Sequence, residues 1–269
     1  MKIAAIQMVS ATSVYANVLA AQRLLQQAAA SGAELVALPE YFCLLGTKDT
    51  DKLAVQEAFG TGLIQDAMAS SAKTLGIWIV AGTLPLSTQD PQRVRNSSLV
   101  FNPDGQCIAR YDKIHLFAFD NGKERYDESR VLEAGHLPVA FDLPSRDGHT
   151  WRVGLSICYD VRFAALYQSL QAHLLLVPSA FTYTTGQAHW EILLRARAIE
   201  NLAYVLAPAQ GGVHENGRRT WGHSMIIDSW GVVQTQLPSG EGVVLCEISA
   251  PALQVHRQQL PALAHRVAL

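Results

Sequence analysis

Apolar positions along this chain switch between two spacings, unbroken runs of a few residues and the three-to-four step of a helix. Residues 3–7, 35–38, 153–157 and 174–177 are continuous apolar runs, the pattern of strands covered on both faces. Between the first two, residues 14–30 repeat Val18, Leu19, Leu24, Leu25 and Ala28 at helical spacing. A second helix is expected over 53–75, broken near Gly60 and Gly62, followed by strands over 77–84 and 97–102. Asn102-Pro103-Asp104-Gly105 is turn chemistry, so 106–111 returns as the other arm of a hairpin.

Residues 117–144 are polar, lack a clear period and predict a long loop, of the kind that in compact domains tends to carry function. The alternation then resumes. Strands are expected over 151–157, 174–177 and 203–207, separated by helices over 161–171 and 187–201. A glycine-rich loop (Gly211, Gly212, Gly217) leads to a hairpin over 224–228 and 232–236, a closing strand over 243–247 and a short helix near Pro251. Helices alternating with buried strands, with no repeat or linker, predict one α/β domain over residues 1–269.

Composition narrows the function. The chain has 269 residues, 49% hydrophobic and 16% charged, ample for a large core. A net charge of −2 gives no electrostatic case for nucleic acid or an anionic membrane. No run reaches the roughly 18 apolar residues of a bilayer span, and the apolar start is too short for a signal peptide. Cys43, Cys107, Cys158 and Cys246 lie far apart without metal-type spacing, so reduced thiols and a cytoplasmic protein are expected. Neither a metal nor an organic cofactor is implied.

The chemistry gathers at strand ends. Residues 153–157 run into Cys158 and then the polar Tyr159-Asp160-Val161-Arg162-Phe163, which predicts a strand, a sharp corner and a helix. Free cysteine is often no more than a small buried hydrophobe. At such a corner, however, a thiol projects from the carboxyl end of the sheet, the place of the nucleophile elbow, with neighbouring amides able to receive an oxyanion. Glu40 ends the run Leu35-Val36-Ala37-Leu38-Pro39, and Lys113 follows 106–111 into apolar Ile114. A thiol nucleophile needs a base, for which Glu40 is the candidate, and a cation for the tetrahedral oxyanion, for which Lys113 is. Histidine is a weaker base candidate here: His115, His189 and His223 are not at strand tips, and His115 is expected to hydrogen-bond structurally.

Leu38-Pro39-Glu40, Tyr111 through Phe117, Gly154 through Phe163, Pro178 through Phe181, Ala188 through Glu191 with Arg195 through Asn201, and Gly222-His223-Ser224 followed by 228–231 form an ordered set. In that order they resemble the nitrilase (carbon–nitrogen hydrolase) superfamily over nearly the whole chain. The resemblance implies an α–β–β–α sandwich and assembly as a homodimer or larger homo-oligomer. It implies Cys158 as nucleophile, Glu40 as general base, Lys113 as oxyanion cation and Glu128 as a second glutamate orienting lysine or substrate. Within the superfamily, 185–191, 195–198 and 214–225 are most similar to amidases acting on deaminated glutathione, with ω-amidases close behind. Trp221 stands where those amidases commonly carry tyrosine, and Ser229 where proline is usual.

The resemblance implies hydrolysis of a small amide by water through a Cys158 thioester, with the Tyr159 N–H sharing the oxyanion. A carboxylate on the substrate calls for an arginine, and Arg162 is the first candidate. Tyr126, Phe181, Thr182 and His189 are candidate pocket residues. The alternatives are an ω-amidase acting on α-ketoglutaramate, a nitrilase or acyl transferase on the same scaffold, and a catalytically silent interaction protein.

Overall fold

The computed structural model describes residues 1–267. β1 (Lys2–Gln7) leads to α1 (Val14–Ala30), which opens where the Ser13 hydroxyl accepts the Ala16 N–H. β2 (Leu35–Ala37), α2 (Asp51–Ala54) and α3 (Leu63–Leu75) follow, the two helices separated across Gly60 and Gly62 as the sequence predicts. β3 (Trp78–Val80) and β4 (Leu84–Ser87) replace the single strand expected over 77–84. The reason is pairing: β3 adds to β2 in parallel, while β4 pairs only with the next strand. β5 (Val94–Phe101) and β6 (Cys107–Asp112) form the expected hairpin, β5 starting earlier than predicted.

The stretch 117–144 is not a plain loop. It holds a small hairpin, β7 (Ala118–Asp120) with β8 (Arg125–Asp127), a 3-10 turn at Glu128–Arg130, and β9 (Ala140–Pro144). β9 pairs antiparallel with the next strand, β10 (Thr150–Leu155), across a short turn, so its strand character comes from pairing that local periodicity does not show. After β10 the backbone makes a 3-10 turn, Cys158–Arg162, and only then α4 (Ala164–Leu170), three residues later than the helix expected from 161. β11 (Leu174–Leu176) follows. α5 (Tyr183–Asn201) starts earlier than the predicted 187 because Thr182 caps it, accepting from Thr185 N–H. β12 (Tyr204–Ala207), β13 (Ser224–Ile227), β14 (Val233–Leu237), β15 (Gly242–Glu247) and α6 (Ala250–Gln259) complete the chain.

Two sheets result. One runs β15-β1-β2-β3-β5-β4 with β6 also on β5, and the other runs β14-β13-β12-β11-β10-β9. Alternation along β1 separates the layers. Ile3 and Ala5 share a core with Val153, Leu155, Leu174 and Leu176 of the second sheet. Ala4 and Ile6 pack instead with Val18, Leu24 and Leu25 of α1 and with Ile64 and Met68 of α3. Trp190, Leu194 and Ala198 of α5 cover the second sheet from outside. The fold is therefore an α–β–β–α sandwich. Each fully buried leucine contributes about 1.5–3 kcal/mol. Among the described residues no helix is long and apolar enough to cross a membrane.

Candidate active site

Parallel β1, β2 and β3 carry Glu40 to its place. The chain leaves β2 through Leu38-Pro39, and the Leu38 N–H donates to Val80 O at 2.9 Å. The turn then folds tightly over Gly82, where an added Cβ would stand 2.0 Å from the Pro39 carbonyl oxygen at a φ of +35°. Glycine is required there by both space and conformation. The Tyr41 N–H closes the turn on Thr83 Oγ1 at 2.9 Å.

The Glu40 carboxylate that emerges is 1% exposed and accepts three hydrogen bonds. Asn96 Nδ2 (2.9 Å) and Lys113 Nζ (2.8 Å) donate to Oε1, and the Ala180 N–H donates to Oε2 at 2.9 Å. Lys113 follows β6 and is equally buried; its ammonium also reaches Glu128, 2.9 Å from Oε1 and 2.8 Å from Oε2. Glu128 is fixed in turn by the Tyr41 hydroxyl at 2.7 Å and the Phe117 N–H at 2.8 Å. Burial disfavours the Lys113 charge, but Glu128 and Glu40 outweigh it and raise its pKa above the ordinary lysine value. Burial likewise opposes the Glu128 charge, and Lys113 outweighs it and lowers that carboxyl. Lys113 is a permanent cation.

Cys158 sits at a strained corner, with φ at +48°, a region non-glycine residues enter at a cost. The strain is held by hydrogen bonds on both sides. The Cys158 N–H donates to Pro178 O at 3.0 Å. Fully buried Asp160 reaches back to accept the Ile157 N–H at 2.9 Å, and also takes the Tyr111 hydroxyl (2.7 Å) and the His115 N–H (3.0 Å). His115 is thus a structural partner, its Nδ1 2.7 Å from Asp160 and its ring stacked on Phe163 at 3.6 Å. From α5, Arg197 Nε donates to Val161 O at 2.8 Å. Burial first, then the Glu40 carboxylate, raises the Cys158 thiol well above the ordinary value, with Lys113 pulling the other way. The raised value favours the protonated thiol, beside the Glu40 carboxylate.

Glu40, Glu128, Cys158, Tyr159, Phe181 and Arg162 are among the residues lining one tight cavity, and Lys113 touches its Glu40 and Glu128 walls. Thr182 lines it too, although its hydroxyl is occupied by the α5 cap. Two of the candidate pocket residues lie elsewhere. His189 is exposed, one turn along α5 from Thr185, and its Nδ1 lies 3.3 Å from both terminal nitrogens of Arg162. Tyr126 lines an adjoining chamber beyond Glu128. Tyr41, Asn96, Thr185 and Arg218 also stand at the site, without having been singled out from the sequence. Arg218 lies in the 214–219 segment, which carried only a family signal, and it lines both chambers.

The two departures from the amidase pattern are packed in. Trp221 stacks on His223 at 4.2 Å and lies so close to α5 that a Cβ on Gly186 would stand 2.3 Å from its own Cβ. Ser229 Oγ lies 2.7 Å from His256 Nδ1, tying its loop to α6. Among the described residues no cluster of three or more His, Cys, Asp or Glu side chains is placed to hold a metal ion.

Known proteins share this arrangement of chain. The carbon–nitrogen hydrolase family matches residues 2–258. A deaminated glutathione amidase of Synechocystis is 40% identical over 270 residues, covering 98% of this chain and 97% of its own. Omega-amidase NIT2 of Xenopus tropicalis is 37% identical over 91% of this chain and 87% of its own. Among solved structures, the NitFhit protein of C. elegans superposes with a TM-score of 0.87 at 36% identity, covering 98% of this chain and 64% of that one. A protein of the same superfamily from Xanthomonas campestris gives 0.86 at 30% identity, covering 100% and 98%. The chain belongs to the carbon–nitrogen hydrolase family and is an enzyme acting on amides.

Proposed function

We propose that this carbon–nitrogen hydrolase cleaves the amide bond of a small 2-oxo acid amide of the deaminated-glutathione type, through a thioester on Cys158. As the sulfur attacks the carbonyl carbon, its proton passes to Glu40. The oxyanion is met by the Lys113 ammonium and the Tyr159 N–H. That amide lies between two already committed ones, Cys158 to Pro178 and Asp160 to Ile157. The intermediate collapses, the carbon–nitrogen bond breaks, and the amine leaves with the proton Glu40 held. Water then attacks the thioester, giving one proton to Glu40, and Cys158 regains its thiol hydrogen as the acid departs. Glu128 positions Lys113 and touches no reacting atom in this scheme.

The observation that carries this reading is the Lys113 ammonium clamped between Glu40 and Glu128 beside a raised thiol. A hydrolytic double displacement needs a base, a cation and a nucleophile in one dry pocket. The substrate class is supported by the deaminated glutathione amidase relatives and by Arg162 in the cavity wall. The ω-amidase relatives favour α-ketoglutaramate as second substrate; both substrates give the same acyl group. Purified protein supplied with each amide and assayed for released 2-oxoglutarate decides. Turnover of deaminated glutathione at the higher kcat/KM is expected, and turnover of nitriles without amides overturns the reading.

A reduced cytoplasmic protein is supported by four free cysteines. Assembly as a homodimer or larger is supported by Ile192 and Ile199, which α5 leaves exposed at 70% and 46%.

A further inference from the structure

Arg218, on the loop after β12, borders both chambers. Its Nε–H is buried and has no acceptor, and among the described residues neither it nor Lys52 enters an ion pair. A buried donor left unsatisfied is costly, and the cost is highest for a charged group. The loop presenting it is nonetheless firmly tied. His214 bridges Ser10 O (2.9 Å) and Thr220 Oγ1 (2.8 Å). Asn216 donates to Gly46 O at 2.7 Å and accepts the Arg218 N–H at 2.9 Å. The guanidinium lies 5.1 Å above the Tyr126 ring, and Lys52 Nζ lies 4.9 Å from the Tyr41 ring centre.

Both cations border the chamber beyond Glu128. Three acids border it too: Glu128 is held by Lys113, Asp127 Oδ1 accepts from Ser129, and Asp49 is exposed to solvent. Burial lowers the Lys52 pKa by more than Asp49 and Glu128 raise it.

We propose that Arg218, backed by Lys52, binds the terminal carboxylate of the substrate's amine leaving group, while the carboxylate of the acyl half is held at Arg162. This assignment rests on the substrate reading above. Only three carbons separate the reacting carbonyl from the acyl carboxylate of a 2-oxoglutaryl amide, so that end must stay in the chamber of Cys158, where Arg162 is. A dipeptide amine adds roughly 7 Å of extended chain, and the adjoining chamber shares the wall residues Tyr41, Phe117, Glu128 and Arg218 with the chamber of Cys158. The site therefore reads a dicarboxylate, and the second carboxylate separates a peptide amide from a simple carboxamide.

The test is steady-state kinetics on three substrates: deaminated glutathione, the same molecule with its glycine carboxylate capped as carboxamide, and α-ketoglutaramate. In the wild type the cap is expected to lower kcat/KM on the order of 10–100-fold, mainly through KM. Arg218→Gln should bring the uncapped substrate down to the capped level and no longer distinguish the two. Its loss on the dipeptide amide should exceed its loss on α-ketoglutaramate by about tenfold or more, and Arg218→Lys should recover part of it. Equal wild-type turnover of capped and uncapped substrate overturns the assignment, as does an Arg218→Gln loss equally large on α-ketoglutaramate. If that variant does not fold, the wild-type comparison decides alone. Failure of the wild type on every oxo acid amide instead overturns the substrate reading itself, and this assignment with it.

Discussion

The Nζ of Lys113 stands 2.8 Å from Oε1 of Glu40, with each side chain 1% exposed. A pair so thoroughly removed from water contributes less to stability than its geometry suggests, because desolvation offsets attraction. Removing one partner is another matter. Lys113→Met strands two carboxylates, Glu40 and Glu128, and is expected to destabilise the fold by about 3–5 kcal/mol. It should also lower kcat by about 10²–10³ if the ammonium meets the oxyanion. Urea unfolding and steady-state kinetics read the two effects separately; a change confined to KM would mark a ground-state contact instead.

Cys158→Ala removes the proposed nucleophile while Pro178 and Asp160 still hold the corner. Turnover should fall by about four orders of magnitude or more, with a melting temperature close to wild type. Amide hydrolysis persisting in this variant rules out the thioester route.

Asp160 touches no cavity, yet it anchors the corner through Tyr111, His115 and Ile157. Asp160→Asn replaces one acceptor oxygen by an NH2 that faces either the Ile157 N–H and Tyr111 hydroxyl or the His115 N–H. A loss of about 2–4 kcal/mol is expected, with a drop in kcat larger than any change in KM because the sulfur moves. Intact kinetics in a destabilised variant would confine Asp160 to stability.

Gly82→Ala drives a methyl group against the Pro39 carbonyl at 2.0 Å. The turn carrying Glu40 must shift, so activity should fall along with the unfolding midpoint. Ala is ordinarily a mild replacement for glycine, which makes the size of the loss a measure of how tightly this turn is constrained.

Alkaline pH should weaken the fold. Burial raises the Cys158 thiol well above the ordinary value and pushes Cys43 up to about 12. Unfolded thiols titrate near about 8.5, so above that pH the unfolded chain loses protons the native chain keeps. The contribution is fully present below about pH 8.5 and is lost as pH climbs through the folded values. Urea midpoints at rising pH should decline, and less steeply in Cys43→Ala. A midpoint level to about pH 9.5 would falsify this account.

Much of this was legible in one dimension. Continuous apolar runs marked β1, β2, β10 and β11, and Glu40 and Cys158 were placed by falling just past the ends of such runs. What stayed hidden depended on partners distant in sequence. β9 is the exception, since its partner β10 is the next strand; it looked like loop because it is a short edge strand without a clear period. Tyr41 and Asn96 gave no signal because their importance lies in hydrogen bonds to Glu128 and Glu40, 87 and 56 residues away. His189 has the residue type of a site but the exposed side of α5.

The order of strands and helices, the corner at Cys158 and the family were determined by the sequence itself, since periodicity and turn chemistry are properties of neighbouring residues. Only the tertiary structure decided that Lys113 bridges two glutamates, that burial and Glu40 raise the Cys158 thiol, and that Arg218 borders both chambers with its Nε–H lacking an acceptor. Those are facts of electrostatics and desolvation. They depend on which charges share a dry volume, and the chain brings those charges together only when two sheets close over them.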